Sequence, residues 1–175
     1  MVEQITFQTI FQFLQTVSIM VGITYYILNL RNNQKARETS LALQFYGNIT
    51  NKDFWRTWTD VTFTQQFENY KEWSDNYGPE VNPDAASNLY TVMQIFVGAG
   101  TMLKKKLVDP KELFEYIPHM VLPLTYSKVK PFIEAIKIRY NDPTFGESFE
   151  YLYNEAMRLY PGIRVPTEPP GKLIE

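Results

Sequence analysis

The sequence contains no cysteine, and His119 is its single histidine. Without thiols the chain cannot form disulfides, Cys-type zinc sites or iron–sulfur clusters, and one imidazole cannot supply a histidine-rich metal site. A general base also needs a nucleophile or substrate within reach and usually an orienting partner, and no neighbour of His119 supplies one. We therefore expect no enzyme activity, no metal and no cofactor, and interpret His119 as a partly buried structural residue at a helix start.

The chain also lacks an excess of positive charge. Its 17 Lys and Arg stand against 19 Asp and Glu, a net charge of −2 over 175 residues. Nucleic-acid binding depends on clustered cations, so we expect no nucleic-acid partner. Hydrophobic residues make up 45% of the chain and aromatic residues 15%, which is enough for a folded core. The length suits one domain plus an anchor.

Charge of either sign is missing from Gln4 to Leu30. As a helix this run would extend about 40 Å, more than the ~30 Å hydrocarbon core of a bilayer. We predict a transmembrane anchor over residues 1–30; the competing interpretation is a buried helix of a soluble bundle. A cleaved signal peptide is disfavoured because no basic residue precedes the run and no small-x-small site follows it.

Basic residues flank the predicted anchor on one side only. Arg31, Lys35 and Arg37 follow it, whereas Glu3 precedes it. Because basic flanks stay on the cytoplasmic side, the sequence predicts a single-pass protein of the cell membrane. Its N-terminus would lie outside and its C-terminal domain in the cytoplasm.

Polar and small residues recur at a spacing of three to four along one side of the predicted anchor. An amide in hydrocarbon is costly unless it is hydrogen-bonded, so the stripe predicts contact with another transmembrane helix, from a second copy or a partner subunit. In the alternative, Gln8 lies at the headgroups, as does Gln4, and only two amides enter the hydrocarbon. The predicted interaction residues are Gln8, Gln12, Gln15, Gly22 and Tyr26.

The remaining sequence predicts helices and no strand. We expect a helical stalk over residues 31–47 that ends at Gly47, a helical cytoplasmic domain over residues 48–162, and a flexible proline-rich tail over residues 163–175. The fold class is therefore all-α, with a transmembrane helix that continues into a stalk, followed by a small helical bundle.

Several local signals place helices inside that bundle. The predicted start signals are Thr50 or Asn51, Asn82-Pro83 and Asp109-Pro110. A further helix is predicted from Gln66 to Tyr77. Pro123 and Pro131 predict one kinked helix or two end-to-end helices between residues 118 and 140. The inner face of its second half is predicted at Val129, Phe132, Ile133, Ile136 and Tyr140.

Three further patterns have a structural interpretation. Gly98-Ala99-Gly100 lies inside a helical pattern, which favours close helix packing over phosphate binding. The carboxylate pairs lack the Glu-x-x-His of di-metal bundles, so we interpret them as solvated faces: Glu68/Glu72, Glu112/Glu115 and Glu147/Glu150. The aromatic residues from Trp55 to Trp73 are predicted to be core, with the membrane surface as the alternative.

The anchor end Tyr25-Tyr26-Ile27-Leu28-Asn29-Leu30-Arg31, the basic stalk and the helical domain resemble an uncharacterised archaeal and bacterial family of single-pass membrane proteins. The segments Val97 to Leu107 and Lys130 to Arg139 carry the rest of the resemblance, which spans about Tyr25 to Tyr160. This resemblance implies a helical cytoplasmic domain but transfers no functional residue.

Together these observations predict a membrane-anchored, non-enzymatic interaction or scaffold protein. Its expected partners are membrane lipid and another transmembrane helix, in a homo-oligomer or a partner subunit. The alternative is an accessory subunit of a membrane enzyme or transporter. A ligand sensor is a third hypothesis, for which we expect a closed pocket of mixed polar and aromatic groups.

Overall fold

The computed structural model describes residues 7–163. These residues form seven α-helices and one π-helical turn, and they contain no strand, which confirms the all-α prediction. Most of the predicted tail, residues 164–175, and Gln4 lie outside the described residues. The elements are α1 (Phe7–Thr50), α2 (Lys52–Thr59), a π turn (Asp60–Thr64), α3 (Tyr70–Tyr77), α4 (Pro83–Lys104), α5 (Pro110–Tyr116), α6 (Val121–Arg139) and α7 (Glu147–Leu159).

The chain divides into two compact units between Ser40 and Leu41, and each is described by itself. The described part of the first unit is helical throughout, and every residue from Phe7 to Arg37 is exposed. The second unit begins with the last part of α1 and contains all other helices.

Helix α4 is the centre of the second unit. It packs most extensively against α7 and also contacts α2, the π turn and α3. Phe96 of α4 is fully buried and stacks on Phe149 of α7, with ring centroids 5.2 Å apart and planes within 16°. A Cβ at Gly100 would overlap the carbonyl oxygen of Ser148, so only glycine permits this approach of α4 to α7. The close-packing interpretation therefore holds for Gly100.

Asparagine and aspartate side chains start four helices. The side chain of Asn51 caps α2 and that of Asn82 caps α4, while Asp109 caps α5, each by accepting a hydrogen bond from a first-turn amide. Asn69 does the same for α3, which therefore begins later than the predicted Gln66. These side chains satisfy backbone donors that have no partner inside the helix.

The structure corrects two predicted details, at Gly47 and Tyr140, and decides between two alternatives around Pro131. Gly47 does not end α1, which continues to Thr50 because Phe45 and Ile49 are both buried in the second unit's core. Of the two alternatives predicted for residues 118 to 140, the structure has a single helix around Pro131, and Pro123 falls in its first turn, where the missing N–H costs little. Tyr140 is 66% exposed and not core, because it follows the last residue of α6.

Candidate membrane-spanning helix and surface groove

Helix α1 carries an apolar surface that the protein does not bury. It is the one helix among residues 7–163 that is long and apolar enough to cross a membrane, and its most apolar window contains no buried residue. A core helix of similar composition would be mostly buried. Ile19, Met20 and Val21 are 62–63% exposed, although consecutive residues point in different directions around a helix. Residues 7–163 therefore give no support to the competing buried-helix interpretation.

Hydroxyl groups in this helix are satisfied by its own backbone. Thr16, Ser18 and Thr24 each donate a hydrogen bond of 2.8–2.9 Å to the carbonyl oxygen four residues earlier. Such internal bonding is what a hydroxyl group requires in a medium without water. These three residues therefore do not oppose a location in hydrocarbon.

The five predicted interaction residues all lie on α1 and are all exposed. Gln12 and Gln15 make no side-chain hydrogen bond within residues 7–163, in contrast to the neighbouring hydroxyls. A Cβ at Gly22 would meet nothing within 4 Å. Their contact with another helix stays a prediction.

The predicted flank charges also lie on α1, after its apolar part. Arg31, Lys35 and Arg37 are exposed, and Gln34 donates a 2.9 Å hydrogen bond to Glu38 on the same stretch. These side chains are accessible to water or to lipid headgroups. The orientation that they predict is not tested by the fold.

The second unit has an aromatic groove of about 910 Å³ between α3, α4 and α6. Trp73 lies at its base against Phe132, 4.7 Å away, and its indole N–H has no hydrogen-bond partner among the described residues. Arg139 lies 5.4 Å from the Tyr70 ring and donates to its hydroxyl at 3.3 Å. Its lining residues Tyr90 and Tyr140 are 41% and 66% exposed, so the groove is open and not the closed pocket expected of a sensor.

Tyrosines give this groove its electrostatic character. Burial raises the pKa of Tyr90, and the neighbouring phenols of Tyr70 and Tyr140 raise it further. The Tyr90 hydroxyl therefore stays a neutral donor at physiological pH. The sequence pattern placed Tyr70 and Trp73 in the core but did not predict the groove, because Arg139 at the end of α6 and Tyr140 just after it are far away in sequence.

A buried polar cluster joins the π turn to α4, and sequence reasoning did not find it. Gln65 is fully buried, and its amide nitrogen donates to Asp60 and to the Ala85 carbonyl, both at 2.9 Å. Asn88 donates to the same Asp60 oxygen at 2.8 Å. The cluster depends on the π turn, which brings Gln65 back against α4. No local sequence pattern predicted that turn.

The remaining sequence candidates have ordinary structural surroundings. His119 is exposed in the turn before α6 instead of partly buried, with its ring 4.5 Å from that of Tyr160. Glu147 forms a 2.8 Å ion pair with Lys104, while Glu150 pairs with Lys137 at 3.4 Å. Within the described part of the chain, no group of three or more His, Asp and Glu residues is arranged to hold a metal ion.

The aromatic cluster belongs to the core. Trp58, Phe67 and Trp73 are buried, whereas the other members, Trp55, Phe63 and Tyr70, are partly buried against the core. The indole N–H of Trp58 donates a 2.7 Å hydrogen bond to Thr125. The core interpretation is confirmed for this region.

The chain belongs to the family described as a domain of unknown function (DUF4760), which matches residues 15–156. The match begins inside the apolar part of α1 and ends in α7, so it covers most of the chain. No curated protein and no solved structure matches the chain. The resemblance to an uncharacterised family is therefore confirmed, while its prokaryotic and membrane-anchored character stays a prediction.

Proposed function

We propose that this protein is a single-pass protein of a prokaryotic cell membrane that acts as a non-enzymatic interaction module. Helix α1 crosses the bilayer with its N-terminus outside, and the helical domain faces the cytoplasm. The supporting observation is the exposure of every residue from Phe7 to Arg37, although most of this stretch is apolar. Exposed apolar surface of this length is stable in lipid and costly in water.

Two further observations support the anchor. The apolar run has no charged side chain before Arg31, and its hydroxyls bond to their own backbone. The first three basic residues that follow support the orientation, because basic flanks are retained on the inner side. We expect lipid to cover the run and water or headgroups to surround the basic flank.

The domain supplies an interaction surface rather than a reaction centre in this proposal. The open groove beside Trp73 offers exposed tyrosine rings, the Arg139 guanidinium and the neutral Tyr90 hydroxyl. Tyr and Arg, which are exposed in this groove, are among the side chains most enriched where proteins bind each other. The module would hold its partner beside the membrane.

Membrane extraction tests the anchor. After cell lysis the full chain should stay in the membrane pellet through alkaline carbonate and leave it only with detergent. Recovery in the soluble fraction after carbonate treatment would contradict the proposal.

Orientation is testable because the chain has no cysteine. Val81 lies in a loop of the domain and is 60% exposed, so Val81→Cys gives a single thiol. A membrane-impermeant maleimide should label it only after lysis. Labelling in intact cells would reverse the predicted topology.

The alternative function is an accessory subunit of a membrane enzyme or transporter, supported by the amide stripe on a lipid-exposed helix. Native mass spectrometry of the detergent-extracted protein separates the two. An interaction module should appear alone or as a homo-oligomer, and an accessory subunit should appear with other subunits at fixed stoichiometry.

A further inference from the structure

The polar stripe of α1 has a regular period that extends beyond the five residues named above. Ile19 fills the seven-residue gap between Gln15 and Gly22, and Asn29 and Asn33 follow Tyr26. The eight positions are then separated alternately by four and three residues. This is the 3.5-residue repeat of a left-handed helix pair. We call this set of eight positions the seam. It lies wholly within the first unit.

We propose that the seam is the contact between two parallel copies of this chain, within the membrane up to Asn29 and just beyond it at Asn33. This inference rests on the proposed function, since it needs α1 to be in the bilayer. The amides along the seam would pair across a two-fold axis that runs along the helices.

The chemistry of the seam favours a second copy as its occupant. Five of the eight positions are amides: Gln8, Gln12, Gln15, Asn29 and Asn33. A side-chain amide carries both a donor and an acceptor, so it is complementary to the identical residue of another copy, which a two-fold axis places opposite it. A charged stripe would repel its own copy and would need a different partner.

The rest of α1 leaves these amides available. The hydroxyls of Thr16 and Ser18 are already bonded to their own backbone, at Gln12 and Leu14. Gly22 lies in the middle of the seam with open space beside it, and small residues let transmembrane helices approach closely. Amides and a glycine therefore combine hydrogen bonding with close packing on one side.

Charge and topology fix the parallel arrangement. Arg31, Lys35 and Glu38 fall outside the seam repeat, and Arg37 lies at its edge, so no like charges face each other on the axis. Two copies inserted with the same basic flank inside must point in the same direction. A polar residue such as Asn33 at a core position of the repeat also specifies register in parallel pairs.

Single-cysteine cross-linking of the full chain in membranes tests this arrangement. Ile19→Cys and Tyr26→Cys place a thiol on the seam, while Val21→Cys and Leu28→Cys are matched controls two residues further along, on the opposite side of the helix. The native residues at these four positions are 53–63% exposed. With a mild oxidant, the seam variants should give several-fold more of a product at twice the 20.6 kDa chain mass.

Equal cross-linking at all four positions, or more at the controls, would overturn the inference, as would a product of another mass at the seam positions. The membrane pellet of each variant is extracted with carbonate in parallel. A chain that leaves the pellet contradicts the proposed function itself, whereas a chain that stays without seam-specific cross-linking contradicts only the pairing.

Removal of amides gives a second, independent measurement. Gln12→Leu together with Gln15→Leu keeps the helix apolar but deletes two amide pairs, and should raise the dissociation constant roughly tenfold or more in a bilayer energy-transfer assay. The control Val17→Leu lies opposite the seam and should leave the constant unchanged. An unchanged constant in the double variant would contradict the role of the amides.

Discussion

The apolar side chains of α1 up to Arg37 and those of the helices after Leu41 are covered in different ways. Phe13 of α1 is 68% exposed, whereas Phe96 of α4 is fully buried between helices. Composition alone does not separate the two, since both stretches are rich in Ile, Val, Leu and Phe. Their difference shows that the domain covers its own apolar side chains, while the apolar side chains of α1 up to Arg37 are left exposed by the described residues.

Truncation of a buried ring should cause the largest loss of stability, and only a ring in the domain should have this effect. Phe96→Ala removes the ring stacked on Phe149 and leaves a cavity, which costs about 3–5 kcal/mol for such a residue. Denaturant unfolding in detergent should show this loss. The matched change Phe13→Ala should leave the unfolding midpoint of the domain unaltered; a similar loss in both would mean that the two regions are buried alike.

A charge in the proposed anchor should have the opposite effect: it should weaken membrane association and leave the stability of the domain unchanged. Val21→Arg places a guanidinium in the middle of the apolar run, which costs about 2.5–3.5 kcal/mol at a bilayer centre. The fraction of chain in the membrane pellet should fall, while domain unfolding should be unaffected. Val81→Arg, at an exposed loop position of the domain, should leave membrane recovery at the wild-type level, and an equal fall would show a non-specific effect of charge.

Alkaline pH should destabilise the domain through Tyr126. Burial raises the pKa of Tyr126 to about 12, and the nearby carboxylates of Glu150 and Glu134 contribute. The pKa of a tyrosine in the unfolded state is about 10, so the folded state holds this proton more tightly. The free energy of unfolding therefore falls as pH rises from about 10 to about 12.

The melting temperature as a function of pH checks this expectation. Tyr126→Phe keeps the ring that stacks on Tyr153 but removes the titrating hydroxyl. The melting temperature of this variant should decline less steeply over this pH window than that of the wild type. Parallel curves would show that another group titrates instead.

The smallest effect is expected at the surface of the domain. Lys104 and Glu147 join α4 to α7 through a 2.8 Å ion pair whose side chains are 33% and 57% exposed. Such pairs contribute at most about 1 kcal/mol and are screened by salt. Lys104→Met should therefore change the unfolding midpoint slightly at low salt and not at high salt; a large loss would place this pair among the core contacts.

Local chemistry made much of the helical framework predictable. Asn51, Asn82 and Asp109 start helices because their side chains accept backbone hydrogen bonds wherever a helix begins. The predicted end of α1 at Gly47 was wrong, because a glycine is only a local stop signal and the burial of Ile49 extends the helix past it. The prediction that His119 is partly buried was wrong, because its position before a helix does not determine its burial. The residue is exposed, and its ring lies against that of Tyr160.

The candidate functional residues also fall into a group that the sequence predicts and a group that it does not. The stripe and flank charges on α1 were predictable, since residues on one helix have a fixed angular relation. The groove beside Trp73 was not, because Arg139 and Tyr70 are brought together only when α3 and α6 pack. The buried amide of Gln65 was missed for the same reason.

The apolar uncharged run, the spacing of its amides and the helix starts follow from the order of the amino acids, because each depends on residues that are neighbours along one helix. Tertiary structure alone decided which apolar side chains are covered, where the π turn places Gln65, and how α4 approaches α7 at Gly100. Those properties depend on contacts between residues that are distant in the chain, and the energy of such contacts is set by packing and burial rather than by local preference.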